Sequence, residues 1–318
     1  MGSDVTVLVG DVGGSNTRLA LAGSDIGVTA LKSFDNDSFT SLEEVLSAYC
    51  GQSGIPKIQG ACIAVAGPVS DNSFRITNRN WHSSASTLAD CLGLQPGARV
   101  DLINDLAALG HALPVLTSSQ LSELCTGQPQ GDQSLVVGIG TGFNVALVAG
   151  GRTAKAEMGH ASLPAPVWDR LGQIIARAPE EFTSVEHVFS GHGLVRFHHA
   201  MTGRTAVSAK QILTDYLQKP EGSMQQILLT WAELLGLLAR ELIFMYMPGR
   251  GLLFAGGVAR GVLGTPARDA FLQAFAQQSG ALKGQLGEAP MSLITDDAAG
   301  VSGSARVALA AAGGDLNQ

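Results

Sequence analysis

A fifteen-residue stretch near the start of the chain returns 128 positions later, and such a repeat restricts the chain to folds built twice. Residues 9–23 (VGDVGGSNTRLALAG) and 137–151 (VGIGTGFNVALVAGG) agree in register at Val9/Val137, Gly10/Gly138, Gly14/Gly142, Asn16/Asn144, Leu19/Leu147 and Gly23/Gly151. Each copy reads as a buried strand, a glycine-rich turn and a second strand, because its apolar runs have strand length and β-branching. Glycine allows positive φ and a close backbone approach to a ligand. A concavity of backbone N–H groups takes anions, phosphate above all. Two such turns predict a duplicated α/β chain whose halves grip one polyphosphate.

The copies differ at one informative position, where Asp11 in the first faces Ile139 in the second. A single carboxylate beside a phosphate turn suits Mg²⁺, which keeps several waters and needs few protein ligands. Ordinary hairpins also carry glycine-rich turns, so one copy alone would say little. Two in register, with the acid in only one, favour the phosphate reading.

At 318 residues and 45% hydrophobic, the chain has length for two domains. A net charge of −7 without a Lys/Arg cluster argues against nucleic acid as a partner. Cys50, Cys62, Cys91 and Cys125 form no CxxC pair and read as reduced, mostly buried thiols of a cytoplasmic protein. Residues 227–247 could span a bilayer by length. Glu233, Arg240 and Glu241 within them are costly at mid-membrane, so a buried core helix is expected and no membrane contact. The opening MGSDVT matches a myristoylation pattern, but Val5 is expected to open the first strand. Thr6 would then lie inside it, which makes the match a chance one and leaves no room for a signal peptide.

Further strands are expected at 28–34, 58–66, 99–104, 252–254 and 291–294. Ser41 with Glu44 predicts a capping box opening a helix over 41–50. A helix should run from Asp105 toward His111, another over 266–278, and a terminal one over 298–312. Helices should dominate 167–247. The polar stretch 115–132 is the expected boundary, giving a smaller domain over 1–115 and a larger one over 116–318, with the terminal helix able to pack back on the first.

Asn104 and Asp105 close a buried strand and open a helix. Asp is a favoured N-cap, yet an acid at a strand's carboxyl end is also well placed to meet a ligand. Beside two phosphate turns a general base becomes the better reading, since phosphoryl transfer to a hydroxyl needs a proton acceptor and little else. Glu157, His160 and Glu186, in AEMGHASLP and SVEHVFSG, could hold vicinal sugar hydroxyls from strand ends, although each alone reads as a surface or capping residue. Gly159 places the Glu-x-x-His in a loop, not at the helical spacing of a metal pair. His187, His192, His198 and His199 read as solvated. Gly256 and Gly257 follow a strand and could lie against a flat ring.

In order along the chain, GDVGGSNTRLAL, TNRNW, INDLAA, GIGTG, E-x-GH, S-x-E-x-V-x-SG, FAGGV and a C-terminal GSA resemble the bacterial glucokinase family. That family belongs to the actin-like sugar kinase/chaperone-ATPase superfamily. The resemblance implies a duplicated actin-like ATPase (ribonuclease H-like) α/β fold of two domains with an interdomain cleft that closes on sugar. It implies phosphorylation of the glucose 6-hydroxyl by ATP, with another hexose, or a non-catalytic sugar sensor, as the alternatives. It implies that Gly10, Asp11, Val12, Gly13, Gly14 and Ser15 bind ATP phosphates, with Asp11 near Mg²⁺ through water. Gly140, Thr141 and Gly142 meet the phosphates from the second half, and Gly256 and Gly257 lie by the adenosine. Asn104, Glu157, His160 and Glu186 hold the sugar, and Asp105 is the base. A homodimer is the family habit. Asn144 and Met158 stand where the family commonly has glycine, and Ser15 replaces a usual threonine. No cysteine-rich zinc motif is present.

Overall fold

The computed structural model describes residues 5–23, 27–76, 79–175, 181–206, 208–219, 221–277 and 289–311. Thr77 and Asn78 of the TNRNW stretch, Gln278 and Ala312 at the ends of two expected helices, and residues 1–4 of the MGSDVT pattern lie outside them. The chain divides into two units, one made of the residues up to Leu116 with those from Asp297 onward, the other of Thr117–Asp296.

The first unit contains β1 (Val7–Val12), β2 (Asn16–Ala22), β3 (Val28–Asp35), β4 (Ala61–Val65), β5 (Val69–Ser70), β6 (Ser73–Arg75), β7 (His82–Ser84) and β8 (Val100–Asn104). Its main sheet has the order β3-β2-β1-β4-β8, with β1, β4 and β8 parallel. Strand side chains alternate between faces, and both faces of β1 are covered. Leu8 and Val12 pack toward Leu42, Val45, Leu46 and Tyr49 of helix α1 (Leu42–Cys50). Val7 and Val9 pack against Val301, Ala305 and Leu309 of the C-terminal helix, Ala299–Ala311. That two-sided burial explains why the strand reads as a continuous apolar run. β1 begins at Val7, so Thr6 lies just ahead of the strand and half-buried. Strands β5, β6 and β7 form a separate small sheet. Ser41 caps α1 by accepting from the Glu44 N–H at 3.3 Å. The return bond of the box goes one residue early, from the Thr40 N–H to Glu44 at 2.7 Å. Helices α2 (Ala85–Cys91) and α3 (Asp105–Ala112) complete this unit's described helices.

The second unit has the sheet order β12-β11-β10-β13-β14-β9, built from β9 (Leu121–Cys125), β10 (Ser134–Ile139), β11 (Phe143–Ala149), β12 (Arg152–Ala154), β13 (Gly251–Ala255) and β14 (Met291–Ile294). β9 lies inside the stretch expected to be a linker. As the edge strand, with Leu124 its one fully buried position, it carries little apolar signal. Its helices are α4 (Ala165–Ile174), α5 (Val185–Val188), α6 (Gly191–Thr202), α7 (Ala209–Gln218), α8 (Gly222–Tyr246), α9 (Gly257–Leu263) and α10 (Arg268–Ala276). The membrane-length segment is α8, whose Trp231, Leu234, Leu235 and Leu238 are fully buried in the core. The Trp231 indole N–H donates to the Val188 carbonyl at 3.0 Å, satisfying the polar atom carried into that core. Glu233 is paired with Arg170 through two bonds of 2.7 and 3.0 Å. Among the described residues no helix is long and apolar enough to cross a membrane. Cys62 is buried, whereas Cys50, Cys91 and Cys125 are half-buried, so the thiols are less enclosed than expected.

Candidate active site

The first unit gathers its polar residues at the carboxyl ends of its parallel strands. Val12 of β1 pairs with Val65 of β4, and Val65 pairs with Asn104 of β8, so the three strand ends are level. This edge is where open α/β sheets receive ligands. Asp105 is the first residue of α3, and the cap is Asn104, whose Oδ1 accepts from the Leu106 N–H at 3.0 Å. Asn104 also donates to the Gly67 carbonyl at 3.3 Å. Burial, reinforced by the nearby Asp11 charge, pushes the Asp105 carboxyl up to about 7. The Leu106 N–H, its own N–H and the Asn104 amide pull the other way. Burial likewise pushes Asp11 up to about 6, opposed by Arg18, whose Nη1 stands 3.7 Å away, and assisted by Asp297.

The first glycine turn closes by a bond from the Gly13 N–H to the Asn16 carbonyl at 2.9 Å. Two side chains outside the hairpin hold it. Buried Asn36 donates to the Gly13 carbonyl at 2.8 Å and the Gly14 carbonyl at 3.4 Å, while accepting from Thr17 Oγ1 at 2.7 Å. Arg79 donates through Nε to the Gly14 carbonyl and through Nη1 to the Asn36 carbonyl, both at 3.1 Å. Its guanidinium lies over the Trp81 ring, 5.2 Å from the centroid, and pairs with Asp37. Gly10 is buried within β1, and its carbonyl accepts from Ser304 Oγ at 3.0 Å. Ser15 is exposed at the turn's tip.

The second unit holds the other predicted residues. Its hairpin does not copy the first. The last pair before the first turn is Val12 with Thr17, whereas the second hairpin pairs Ile139 with Phe143. Gly140, Thr141 and Gly142 alone lie outside the ladder, closed by the Gly140 N–H on the Gly142 carbonyl at 3.0 Å. None of Gly13, Gly14, Gly140 and Gly142 has positive φ, contrary to the reason expected for them. At Gly142 the requirement is space, because a Cβ there would stand 2.6 Å from Glu186 Oε2. Gly256 does take φ +98°, and a Cβ on it would meet the Ile139 carbonyl at 2.4 Å. Gly257 follows as the exposed first residue of α9.

Glu186 lies in the first turn of α5 and not at a strand end, and its Oε2 accepts from the Phe143 N–H at 2.9 Å. Glu157 and His160 are exposed, the first preceding and the second ending one 3₁₀ turn, Met158–His160, with the His160 N–H on the Glu157 carbonyl at 3.1 Å. Asn144 donates to Glu157 Oε2 at 3.1 Å, so consecutive residues of β11 engage both predicted acids. Asn144 is a strand residue with no left-handed backbone. His187 is half-buried and bonded to Thr183 Oγ1 at 3.0 Å. Burial, Arg196 and His160 hold its imidazole below the ordinary value, with Glu186 opposing. His198 is buried in α6 with Nδ1 unpartnered, not solvated as expected. Among the described residues no group of three or more His, Cys, Asp or Glu could hold a metal.

Asn36, Arg79 and His187 join the site without a motif that assigns them a role. Arg79 sits inside the TNRNW stretch, a local signal for it. Asn36 had none, since nothing local ties it to a turn more than twenty residues earlier.

Two units that each carry a strand–turn–strand hairpin, one with half-buried acids at the carboxyl edge of its parallel strands, are the architecture of the actin-like sugar kinases. A Chromobacterium violaceum glucokinase is 31% identical over 300 residues, covering 91% of this chain and 85% of its own. The crystal structure of a glucokinase from an Antarctic psychrotroph superposes with a TM-score of 0.79 at 29% identity, covering 95% of this chain and 98% of that one. A Balamuthia mandrillaris glucokinase in complex with glucose shares the fold, with a TM-score of 0.74 at 20% identity over 96% of this chain and 94% of its own. The glucokinase family profile matches residues 8–311, and the chain belongs to that family.

Proposed function

We infer that this chain is an ATP-dependent glucokinase that transfers the γ-phosphoryl group of ATP to the 6-hydroxyl of glucose, giving glucose 6-phosphate and ADP. The observation that carries the residue assignment is Asp105, a carboxyl at a strand end whose proton affinity is raised to about 7 by burial and by Asp11. A base works best when its pKa lies near the operating pH. Asp105 accepts the 6-hydroxyl proton as the oxygen bonds to phosphorus and the bond to ADP breaks. Phosphoryl transfer otherwise asks the protein for positioning and charge stabilisation.

The first turn binds phosphate through the N–H groups of Gly14 and Ser15. Asn36 and Arg79 support this by engaging the carbonyls of Gly13 and Gly14 and so holding the turn's shape. Gly140, Thr141 and Gly142 contribute the second phosphate turn, and Gly256 and Gly257 the surface against adenosine. Asn104, Glu157, His160 and Glu186 hold the sugar hydroxyls. The residues at Asp11 fit a divalent cation. The carboxylate is half-buried with the Arg18 guanidinium 3.7 Å away, and Gly300 leaves room beside it, since a Cβ there would stand 3.2 Å from the Asp11 carboxyl carbon. Mg²⁺ held by Asp11 through water would neutralise charge developing on the phosphates. The chain would work as a cytoplasmic homodimer, an assembly that light scattering would check.

ADP release from the purified chain, measured across a hexose panel, tests the reading. Glucose should be turned over with the highest kcat/KM. No sugar-dependent ADP release with any hexose would overturn it.

A further inference from the structure

We infer that Asn144 is a positioning residue that aims the Glu157 carboxylate, an assignment resting on the reading of Glu157 as a sugar ligand. One amide side chain spans three consecutive residues. Its Nδ2 donates to the Ala156 carbonyl at 2.6 Å and to Glu157 Oε2 at 3.1 Å. Its Oδ1 accepts from the Met158 N–H at 3.0 Å and from the Val145 N–H at 2.8 Å. An amide offers two donors and two lone pairs, and all are used.

The direction of the amide is not free. Ala156 presents a carbonyl, which can only accept, and Met158 presents an N–H, which can only donate. Those two backbone groups fix which end is nitrogen, a choice otherwise open for Asn. The nitrogen therefore faces Glu157. Glu157 needs such a guide because it is exposed, precedes the 3₁₀ turn, and makes no side-chain cap of that turn. A long carboxylate on an exposed residue otherwise samples several rotamers, and fixing it on binding costs affinity.

The hairpin's register makes this possible. In the first hairpin Asn16, the repeat's equivalent residue, closes its turn through its backbone carbonyl. In the second, the tighter pairing draws Asn144 into the ladder opposite Gly138. Its side chain is thereby delivered to the 156–158 elbow. The same asparagine in the two copies does two different jobs.

The test is a double-mutant cycle on glucose affinity by calorimetry, with Asn144→Ala, Glu157→Ala and the double variant. ATP affinity without sugar serves as control. Exchange of the Met158 amide gives a readout independent of sugar. Asn144→Ala should weaken glucose about 3- to 30-fold, leave ATP unchanged and speed Met158 exchange. In the Glu157→Ala background its effect should shrink to about twofold or less, because coupled residues are non-additive. Asn144→Asp keeps the shape and the acceptor for Met158 but turns an anion on Glu157, so it should weaken glucose at least as much. It also covers the case in which the alanine variant folds poorly. Full multiplicativity in the cycle, or normal glucose affinity in both Asn144 variants while Glu157→Ala weakens it, overturns the positioning role. Unchanged glucose affinity in Glu157→Ala sinks Glu157 as a sugar ligand instead, and the positioning role with it.

Discussion

The backbone N–H of Phe143 donates to Oε2 of Glu186 at 2.9 Å, tying a helix-borne acid to the strand that leaves the second glycine turn. The carboxylate thereby lies over Gly142, and the turn and the proposed sugar ligand share one space.

Gly142→Ala would put a methyl 2.6 Å from Glu186 Oε2 and drive the carboxylate off Phe143. Charge-assisted hydrogen bonds contribute roughly 1.5–3 kcal/mol, so glucose affinity should fall by about one to two decades. Calorimetry on the folded variant checks this. Unchanged affinity would detach Glu186 from the sugar.

Arg79→Ala removes a donor from the Gly14 carbonyl and another from the Asn36 carbonyl. Its effect should fall on ATP, with KM for ATP rising about tenfold and glucose affinity nearly constant. Lysine lacks the planar fork and should restore little. Equal losses in ATP and glucose affinity would mark general disorder of the unit and not a turn support.

Both hairpins, the buried α8 and the strand Met291–Ile294 were legible, because long or repeated apolar patterns report burial directly. β9 was not, since an edge strand with one buried position looks like a polar linker. The cap of α3 is Asn104 and not the neighbouring Asp105, a choice the sequence leaves open because Asn and Asp cap almost equally well. At the candidate site the residue types were legible but their supports were not. Asn36 reaches Gly13 across 23 positions, and Arg79 reaches Gly14 across 65, with no local pattern to announce either bond. The repeat itself misled on one point, since aligned residues need not share a pairing register.

Asp105 should also cost the ligand-free protein stability. Its carboxyl is raised in the folded state from 3.8 to about 7, so the fold binds more protons than the unfolded chain in that window. That stabilisation is complete below about pH 4 and is lost as pH rises through about 7. Asp105→Asn should therefore melt several degrees above the parent at pH 8, with the gap closing toward pH 4. A variant less stable than the parent at pH 8 would contradict the burial of the charge.

The most direct measurement is rapid-quench single turnover of Asp105→Asn with ATP and glucose both saturating, beside the parent. If Asp105 takes the 6-hydroxyl proton, the chemical step should slow by about 10²–10⁴-fold, the range for losing a general base. Glucose and ATP affinities should stay within a fewfold, and the fold should persist because Asn104 still caps α3. A chemical step within a fewfold of the parent's, in a folded variant that binds both substrates, would contradict the central assignment and leave Asp105 a structural residue of the helix start.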